Sequence, residues 1–229
     1  GCAARVDRRA GAPHGTTVTI DLGAARRAFA TYRGAPLGTR AFVAARYIVA
    51  PTGPLADELR GRTGLVLSLG SGLAMLERYL AELEPGLSFE GIDLDQVKVD
   101  LITATKDRSP RVHLDHGDAT ALDRPGRYDV VLVCDAFHHF PADLHAGVAR
   151  SVAEALKPGG VAIVKDLDAS PRWKYRWNRV HDRLVAGPDP ITCRPPAELA
   201  ALLAGAGLVV ERAERTDHRL TPYAHYVVR

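Results

Sequence analysis

An apolar run that ends in a glycine-rich turn is the feature that most constrains this chain. Residues Leu65 to Leu69 are leucine- and valine-rich, and the turn Gly70-Ser71-Gly72 follows at once, ahead of a helical pattern. Glycine tolerates the positive φ angles and the close backbone approach that such a turn needs. A strand, a small-residue turn and a helix in this order are typical of the opening of a nucleotide-binding α/β domain. We therefore predict that a ligand lies against this turn.

The composition is that of an ordinary globular protein. The 229 residues include 46% hydrophobic and 25% charged residues, with a formal net charge of +3, too small a charge to require a nucleic acid or a membrane as partner. Cys2, Cys134 and Cys193 form no C-x-x-C pair, which argues against a disulfide framework or a zinc site. Neither a membrane-length apolar run nor a signal-peptide pattern occurs. We expect a cytoplasmic monomer or homodimer without a metal ion.

Beyond residue 64 the hydrophobic pattern alternates between strands and helices. The predicted strands are Leu65–Leu69, Ser88–Ile92, Val112–Leu114, Asp129–Cys134, Val161–Lys165, Leu208–Arg212 and His225–Val228. The predicted helices between them are Leu73–Leu83, Gln96–Lys106, Ala142–Leu156, Arg172–Val185 and Pro195–Ala204. This alternation favours a parallel sheet with helices on both faces.

Two further helical patterns, Asp21–Tyr32 and Leu37–Ala50, precede the first strand. They predict an N-terminal helical cover. We therefore divide the chain into residues 1–60, an irregular segment with the helical cover, and residues 61–229, the main domain. A lid insertion is expected within the main domain at about residues 168–194, where the pattern leaves the strand-and-helix alternation.

Acidic residues follow three of the predicted strands. Asp93 closes the second strand, Asp118 follows the third, and Asp135 ends the fourth. The carboxyl ends of parallel strands meet at one edge of a sheet, so we expect these carboxylates around one crevice. There Asp93 can accept from both ribose hydroxyls of a nucleoside, and Asp118 from an adenine amine. Helix capping alone explains any one of these residues, but a ligand better explains all three together.

Taken in order, these motifs resemble the class I S-adenosylmethionine-dependent methyltransferases. The resemblance extends from Gly64 to Arg229. It rests on Leu69-Gly70-Ser71-Gly72, Gly91-Ile92-Asp93, Gly117-Asp118-Ala119, Tyr128-Asp129-Val130-Val131 with His138-His139-Phe140, and Leu156-Lys157-Pro158-Gly159-Gly160. It implies an α/β fold with a Rossmann-like, seven-stranded, mostly parallel sheet of order 3-2-1-4-5-7-6, helices on both faces and the N-terminal helical cover.

The resemblance also implies a cofactor, S-adenosylmethionine, with S-adenosylhomocysteine as its product. The residues implied to bind it are Ser68, Gly70, Ser71, Gly72, Asp93, Leu94, Asp118, Ala119, Asp135 and Ala136. Two positions depart from the family pattern. Ser68 stands where an acidic residue usually helps to hold the methionine amino group, and Ala74 stands where glycine is usual. We expect Asp135 and the backbone carbonyl of Gly70 to compensate for the missing acid.

The acceptor side of the site is defined less sharply. His138 and His139 follow the fourth strand, beside the expected position of the methyl group. A neutral imidazole can remove a proton from an attacking hydroxyl or amine. In the alternative interpretation one ring packs in the core and the other orients a carbonyl. The residues predicted to bind the acceptor are Tyr32, Lys165, Trp173 and Arg176.

The predicted helix Arg172–Val185 carries two adjacent stripes. One contains Trp173 and Trp177, and the other contains Arg172 and Arg176. Because the aromatic and basic residues fall on separate stripes, the pattern favours an amphipathic lid that buries the tryptophans and turns the arginines outward. An RNA-binding helix is the less favoured interpretation.

These observations predict transfer of a methyl group from S-adenosylmethionine to an O, N or C nucleophile of a small molecule. A specialised metabolite is favoured as acceptor over a protein or a nucleic acid. A dinucleotide dehydrogenase is disfavoured, because Gly72 is followed by Leu73-Ala74-Met75, with no third glycine and no Lys or Arg near the turn. Two alternatives stay open. The bound sulfonium can promote an elimination or a cyclisation, or the chain can be a nucleoside- or RNA-binding module without catalysis.

Overall fold

The computed structural model describes residues 20–49, 52–105, 108–168, 170–176, 180, 192–215 and 225–229. The strands are β1 (Gly64–Leu69), β2 (Leu87–Asp93), β3 (Val112–His116), β4 (Tyr128–Cys134), β5 (Leu156–Leu167), β6 (Ala213–Arg215) and β7 (His225–Val228). The helices are α1 (Leu22–Ala30), α2 (Leu37–Val49), α3 (Gly53–Leu59), α4 (Met75–Leu83), α5 (Gln96–Thr103), α6 (His145–Ala155) and α7 (Pro196–Gly205). A single 3₁₀ turn, Phe137–His139, follows β4.

All seven strands form one sheet in the order β3-β2-β1-β4-β5-β7-β6. Strands β1 to β5 pair in parallel, whereas β7 is antiparallel to both β5 and β6. This topology confirms the predicted Rossmann-like sheet. It places the carboxyl ends of β1, β2 and β4 side by side, with β1 in the middle.

Alternate residues of the strands build a core on each face of the sheet. On one face Val66 and Leu132 pack with Leu80 of α4, in a cluster that also contains residues of α1, α2, α3 and α5. On the other face Leu67 and Val131 pack with residues of α6 and α7. Side chains alternate along a strand, so a sheet covered on both faces needs apolar residues at nearly every position. The predicted helices on both faces are thereby confirmed.

A buried arginine ties the N-terminal helices to the main domain. Arg78 of α4 is 1% exposed. Its guanidinium donates to the hydroxyls of Thr31 and Thr105 at 2.8 and 2.7 Å and lies 4.6 Å from the centre of the Tyr32 ring. Hydrogen bonds of this kind offset the cost of burying a cation. The division of the chain at residues 60 and 61 remains a prediction.

Several element boundaries differ from the prediction, and two of these differences have a visible cause. Helix α4 begins at Met75, not at Leu73, because Ala74 adopts a left-handed conformation with φ of 50°. Strand β5 already begins at Leu156, and the register against β4 shifts between Tyr128 and Val130, so the predicted Pro158–Gly160 turn lies within an irregular strand.

The prediction of a strand over Leu208–Arg212 is wrong. The strand there is β6, at Ala213–Arg215. The reason is the length of its partner: β7 is a short strand, and Ala213 already pairs with its last residue, Val228. Beyond that point only the backbone of Arg229 bonds to the preceding segment, at Glu211 and Arg212.

Candidate functional site

The turn after β1 is held in left-handed backbone conformations. Gly70 and Gly72 have φ angles of 69° and 55°, a region that is costly for residues with a Cβ. Gly70 is constrained by space as well, since an added Cβ would lie 2.6 Å from the Cβ of Ala136. Ala74 adopts the same region at a cost of about 1 kcal/mol, so the departure from glycine at this position leaves the turn intact.

Asp93 is fixed at the shared edge of β1 and β2 by two backbone amides. Its Oδ2 accepts from the Gly72 N–H at 2.6 Å and its Oδ1 from the Asp95 N–H at 2.9 Å. The cap of α5 is a different residue, Asp95, whose carboxylate accepts from the Val97 N–H at 3.0 Å. Helix capping therefore does not account for Asp93. Each of its oxygens keeps a second lone pair for a ligand, and the neighbouring Leu94 side chain is 63% exposed.

Asp118 lies at the same edge, at the end of β3. The Gly117 N–H donates to the Asp93 carbonyl at 3.1 Å, which joins the two strand ends. The exposed Asp118 carboxylate closes a tight turn, with Oδ1 accepting from the amide and the hydroxyl of Thr120 at 2.8 and 2.7 Å. Ala119 is buried behind it. The structure thus brings Asp118 and Asp93 to one edge, as the sequence predicts.

Asp135 is already surrounded by positive charge. The Lys165 ammonium lies 2.7 and 2.9 Å from its two oxygens, and Arg46 of α2 lies 3.9 Å away. Burial is the largest influence on the pKa of Lys165 and lowers it, but the charge and the hydrogen bond of Asp135, together with Cys134, outweigh burial and leave this pKa above its usual value. A carboxylate neutralised in this way is a weak replacement for the acid that the chain lacks at Ser68.

Behind the turn, Ser68 is paired with a buried acid, Glu77. Both residues are 2% exposed, and the Ser68 hydroxyl donates to Glu77 Oε1 at 2.5 Å. The other oxygen, Oε2, has no hydrogen-bond partner within the described ranges. Burial raises the pKa of Glu77, partly offset by the Ser68 hydrogen bond. Sequence reasoning missed this residue, because an acid in the first turn of a helix is routinely explained by the helix dipole.

The buried Glu77 carboxyl predicts a pH-dependent contribution to stability. Its folded-state pKa lies above the unfolded value of about 4.3, so the folded protein keeps a proton that the unfolded chain has lost. This contribution therefore falls as pH rises from the unfolded pKa through the folded one. The Glu77→Gln variant lacks this pH-dependent contribution, so we expect its stability to increase relative to that of the parent as pH rises. Urea unfolding at a series of pH values tests this, and a pH-independent difference would contradict it.

His138 pairs with Asp166 on the face of β5 opposite to the Lys165–Asp135 pair. The two residues are 1% and 2% exposed, and His138 Nδ1 makes a hydrogen-bond contact with Asp166 Oδ1. Asp166 also accepts from the Leu167 N–H at 2.8 Å. Because Nδ1 faces the carboxylate, we assign the ring proton to Nδ1. In this tautomer Nε2 carries the lone pair, as a general base requires. His139 is exposed, and its ring centre lies 4.2 Å from that of His138.

Sequence reasoning also missed Asp166, although it singled out its neighbour Lys165. Consecutive residues of a strand point to opposite faces, so Lys165 meets Asp135 on one face and Asp166 meets His138 on the other. The available signal was a polar pair at the end of an apolar strand. Its partners became visible only once β4 and β5 were known to be neighbours.

Tyr32 supports the turn from beneath. It is fully buried, and its hydroxyl donates to the Leu73 carbonyl at 2.6 Å. Tyr47 of α2 acts in the same way on the Met75 carbonyl at 2.8 Å. The two hydroxyls therefore hold the backbone on either side of Ala74. This placement differs from the acceptor-facing position that the sequence predicts for Tyr32.

The segment after β5 is only partly described. Residues 172–176 are helical, as predicted, whereas Trp177 and most of the rest of that helix lie outside the described residues. The prediction that the tryptophans are buried is wrong at Trp173, which is 60% exposed. Lys174 is the buried residue instead, at 3%, with its ammonium 5.4 Å from the Trp173 ring centre. Arg176 is exposed.

Two features are absent from the described ranges. No helix in them has both the length and the apolar character needed to cross a membrane. No group of three or more His, Cys, Asp and Glu side chains in the same ranges converges as a metal-binding cluster.

The sheet and its site define a Rossmann-like α/β domain with small residues and acids gathered at the carboxyl ends of β1, β2 and β4. The model of the family described as "Methyltransferase domain" matches residues 42–213. The match covers most of the chain, and the chain belongs to this family.

Individual relatives are more distant. The ubiquinone biosynthesis O-methyltransferase of Albidiferax ferrireducens is 32% identical over 111 residues, which are 47% of this chain and 42% of that protein. The apo structure of the S-adenosylmethionine-dependent methyltransferase SibL superposes with a TM-score of 0.64 at 20% identity, covering 87% of this chain and 61% of SibL. The mitomycin 7-O-methyltransferase MmcR gives 0.61 at 22% identity, covering 78% and 52%. These two structural similarities show the fold.

Proposed function

We propose that this chain transfers a methyl group from S-adenosylmethionine to a hydroxyl oxygen of a small-molecule acceptor. The observation that carries the proposal is the Asp93 carboxylate, which the Gly72 amide fixes beside the glycine turn at 2.6 Å and which no helix needs as a cap. Membership of the methyltransferase domain family supports the reaction class. The similarity to an O-methyltransferase favours oxygen over nitrogen or carbon as the acceptor atom.

The residues around the turn fit the cofactor in shape and charge. Asp93 would accept from the two ribose hydroxyls, and exposed Leu94 offers an apolar surface to the adenine ring. Asp118 would accept from the adenine amine through the oxygen that Thr120 leaves free. A Cβ at Gly72 would meet no atom within 4 Å, so the backbone there leaves room for the ligand, and Gly70, Ser71 and Ala136 would complete the lining at the methionine end. When bound, the cofactor supplies an electrophilic methyl group on its sulfonium.

The candidate base is His138, with Asp166 as its positioning residue. Asp166 holds the Nδ1 proton and can stabilise the imidazolium that forms when Nε2 takes the acceptor's hydroxyl proton. His139, exposed beside it, remains the second candidate. Lys165 holds Asp135 in place. Trp173 and Arg176 remain proposals for acceptor contacts, as both are exposed beyond the end of β5.

Calorimetric titration with S-adenosylmethionine and S-adenosylhomocysteine tests the cofactor site. We expect binding in the micromolar range, about −8 kcal/mol. Asp93→Asn should weaken it about 100-fold, roughly the loss of two hydrogen bonds from ligand hydroxyls to a charged group. Asparagine keeps the shape, but its single acceptor oxygen can accept from only one of the Gly72 and Asp95 amides, and its NH₂ faces the other.

The matched control is Asp100→Asn. Asp100 is exposed on α5 and bonds only to the Gln96 side chain, at 2.7 Å, so its loss should leave both affinities unchanged. Absence of binding to either ligand by the parent chain would refute the proposal. Within the described part of the chain, no observation favours the alternatives of elimination, cyclisation or a non-catalytic nucleoside- or RNA-binding module.

A further inference from the structure

We propose that Glu77 is the counter-charge for the amino group of the cofactor's methionine end. This inference rests on the proposed function. Glu77 takes over, from helix α4, the role of an acid that strand β1 does not provide. It acts from one layer behind the turn, so we treat it as a positioning residue for the ligand.

The first argument is an incomplete hydrogen-bond arrangement. Glu77 is 2% exposed, and its Oε1 accepts from the Ser68 hydroxyl. The Ser71 hydroxyl and the Glu77 amide also favour the ionised carboxyl, but Oε2 has no partner at hydrogen-bond distance in the part of the chain that the structure describes. A buried carboxylate oxygen without a partner is costly and calls for an explanation. A cation arriving at the turn would supply the missing interaction.

The second argument is position. Glu77 lies in the first turn of α4, directly beyond the glycine turn, and its hydrogen bond reaches back to Ser68 on β1. Its charge is felt by Cys134 at the end of β4, where it helps to raise the thiol pKa. Asp93 at the end of β2 in turn helps to raise the pKa of Glu77. Glu77 is therefore centred behind the edge where β1, β2 and β4 end.

The third argument is the state of the other charges. Asp135, the expected substitute, faces Lys165 and Arg46. Arg78, next to Glu77 in sequence, is directed to Thr31 and Thr105. Within the described ranges, Glu77 forms no ion pair with any other residue. A positive ligand group beside this carboxyl would favour loss of the proton that burial makes it keep, and would then balance the resulting charge.

The amino group can be isolated experimentally with three related ligands. S-adenosylhomocysteine carries the amine and the carboxylate but no sulfonium. S-adenosyl-3-thiopropylamine keeps the amine and lacks the carboxylate. 5′-Methylthioadenosine lacks both and keeps the nucleoside. A residue that only supports the turn would affect all three ligands alike, whereas a counter-charge for the amine would affect only the first two.

The test is calorimetric titration of Glu77→Gln with these three ligands. We expect S-adenosylhomocysteine and S-adenosyl-3-thiopropylamine to bind at least about tenfold more weakly, as for loss of a charged hydrogen-bond partner, and 5′-methylthioadenosine to bind as before. The control is Glu82→Gln on the same helix, where the carboxylate pairs with Arg27 at 2.6 Å. It should change none of the three affinities.

A double variant, Ser68→Asp with Glu77→Gln, moves the acid onto β1. We expect it to regain affinity for the two amine-bearing ligands, and it carries the test if the single variant does not fold. Equal weakening for all three ligands, or unchanged affinities in Glu77→Gln, would overturn this inference and leave the proposed function standing. Failure of the parent chain to bind S-adenosylhomocysteine would overturn both.

Discussion

Replacement of Lys165 by methionine is expected to lower the free energy of unfolding by about 3 kcal/mol. Removing one partner of a buried ion pair leaves the other charge without compensation, at a typical cost of about 3–5 kcal/mol. The Lys165 side chain is 1% exposed and that of Asp135 is 21% exposed. We place the effect at the low end of the range, because Arg46 remains 3.9 Å from Asp135. Urea unfolding monitored by circular dichroism measures it.

The chain contains a matched control for this experiment. Lys157 holds Asp129 at 2.9 and 2.8 Å, much as Lys165 holds Asp135, but these side chains are 44% and 34% exposed. Exposed pairs contribute about 0–1 kcal/mol, so Lys157→Met should lose less than about 1 kcal/mol. Adding Asp135→Asn to Lys165→Met should recover most of the loss, since the charge that then loses its partner is Arg46, whose side chain is 25% exposed to solvent. Equal losses in the two lysine variants would show that burial is not the cause.

The second large effect concerns the rate of methyl transfer. We expect His138→Gln to lower the maximal rate onto a hydroxyl acceptor by about 10²- to 10⁴-fold, the usual contribution of a general base. Affinity for S-adenosylhomocysteine should not change, because we assign His138 to the acceptor hydroxyl and not to the cofactor. The parent rate should rise with pH as the base loses its proton, and this rise should vanish in the variant. Rates of S-adenosylhomocysteine release, with an acceptor found by screening hydroxylated aromatic compounds, provide the measurement.

His145→Gln is the control for this substitution. His145 is also buried, donates through Nε2 to the Phe140 carbonyl at 2.8 Å and accepts from Arg194 at 2.6 Å, but it bonds to no carboxylate among the described residues. Its loss should lower stability without affecting the rate at saturating ligand. Asp166→Asn should reproduce much of the rate loss. If His138→Gln lowers stability but keeps the parent rate and pH profile, the His138–Asp166 pair is structural.

The parts of the fold and site that are local in sequence could be predicted. Apolar runs bounded by turns rich in glycine and proline locate six of the seven strands, because neighbouring residues determine these features. The glycine turn and Asp93 follow for the same reason. They end strands whose side-by-side placement is a general property of parallel sheets.

The parts that depend on packing across the chain could not be predicted. The partner of Asp166 comes from β4, and the roles of Tyr32 and Tyr47 depend on where the cover meets the Leu73 and Met75 carbonyls. Glu77 and Ser68 are nine residues apart, and nothing in their spacing tells that the glutamate points back rather than out to solvent. Trp173 shows the same limit, because an amphipathic stripe does not say which side of a short helix meets the protein.

The alternation of Lys165 and Asp166 also has a consequence for sheet assembly. The apolar stretch from Val161 to Val164 would fit the sheet almost equally well after a slip of one residue, which exchanges the two faces of a strand. A slip in one direction would bring Asp166 beside Asp135, and a slip in the other would turn Lys165 toward His138. The first slip would place two carboxylates together. The second would leave the Asp135 carboxylate facing the apolar side chain of Val164. The side chains proposed to prepare the reaction thus also select the correct pairing of β5 during folding.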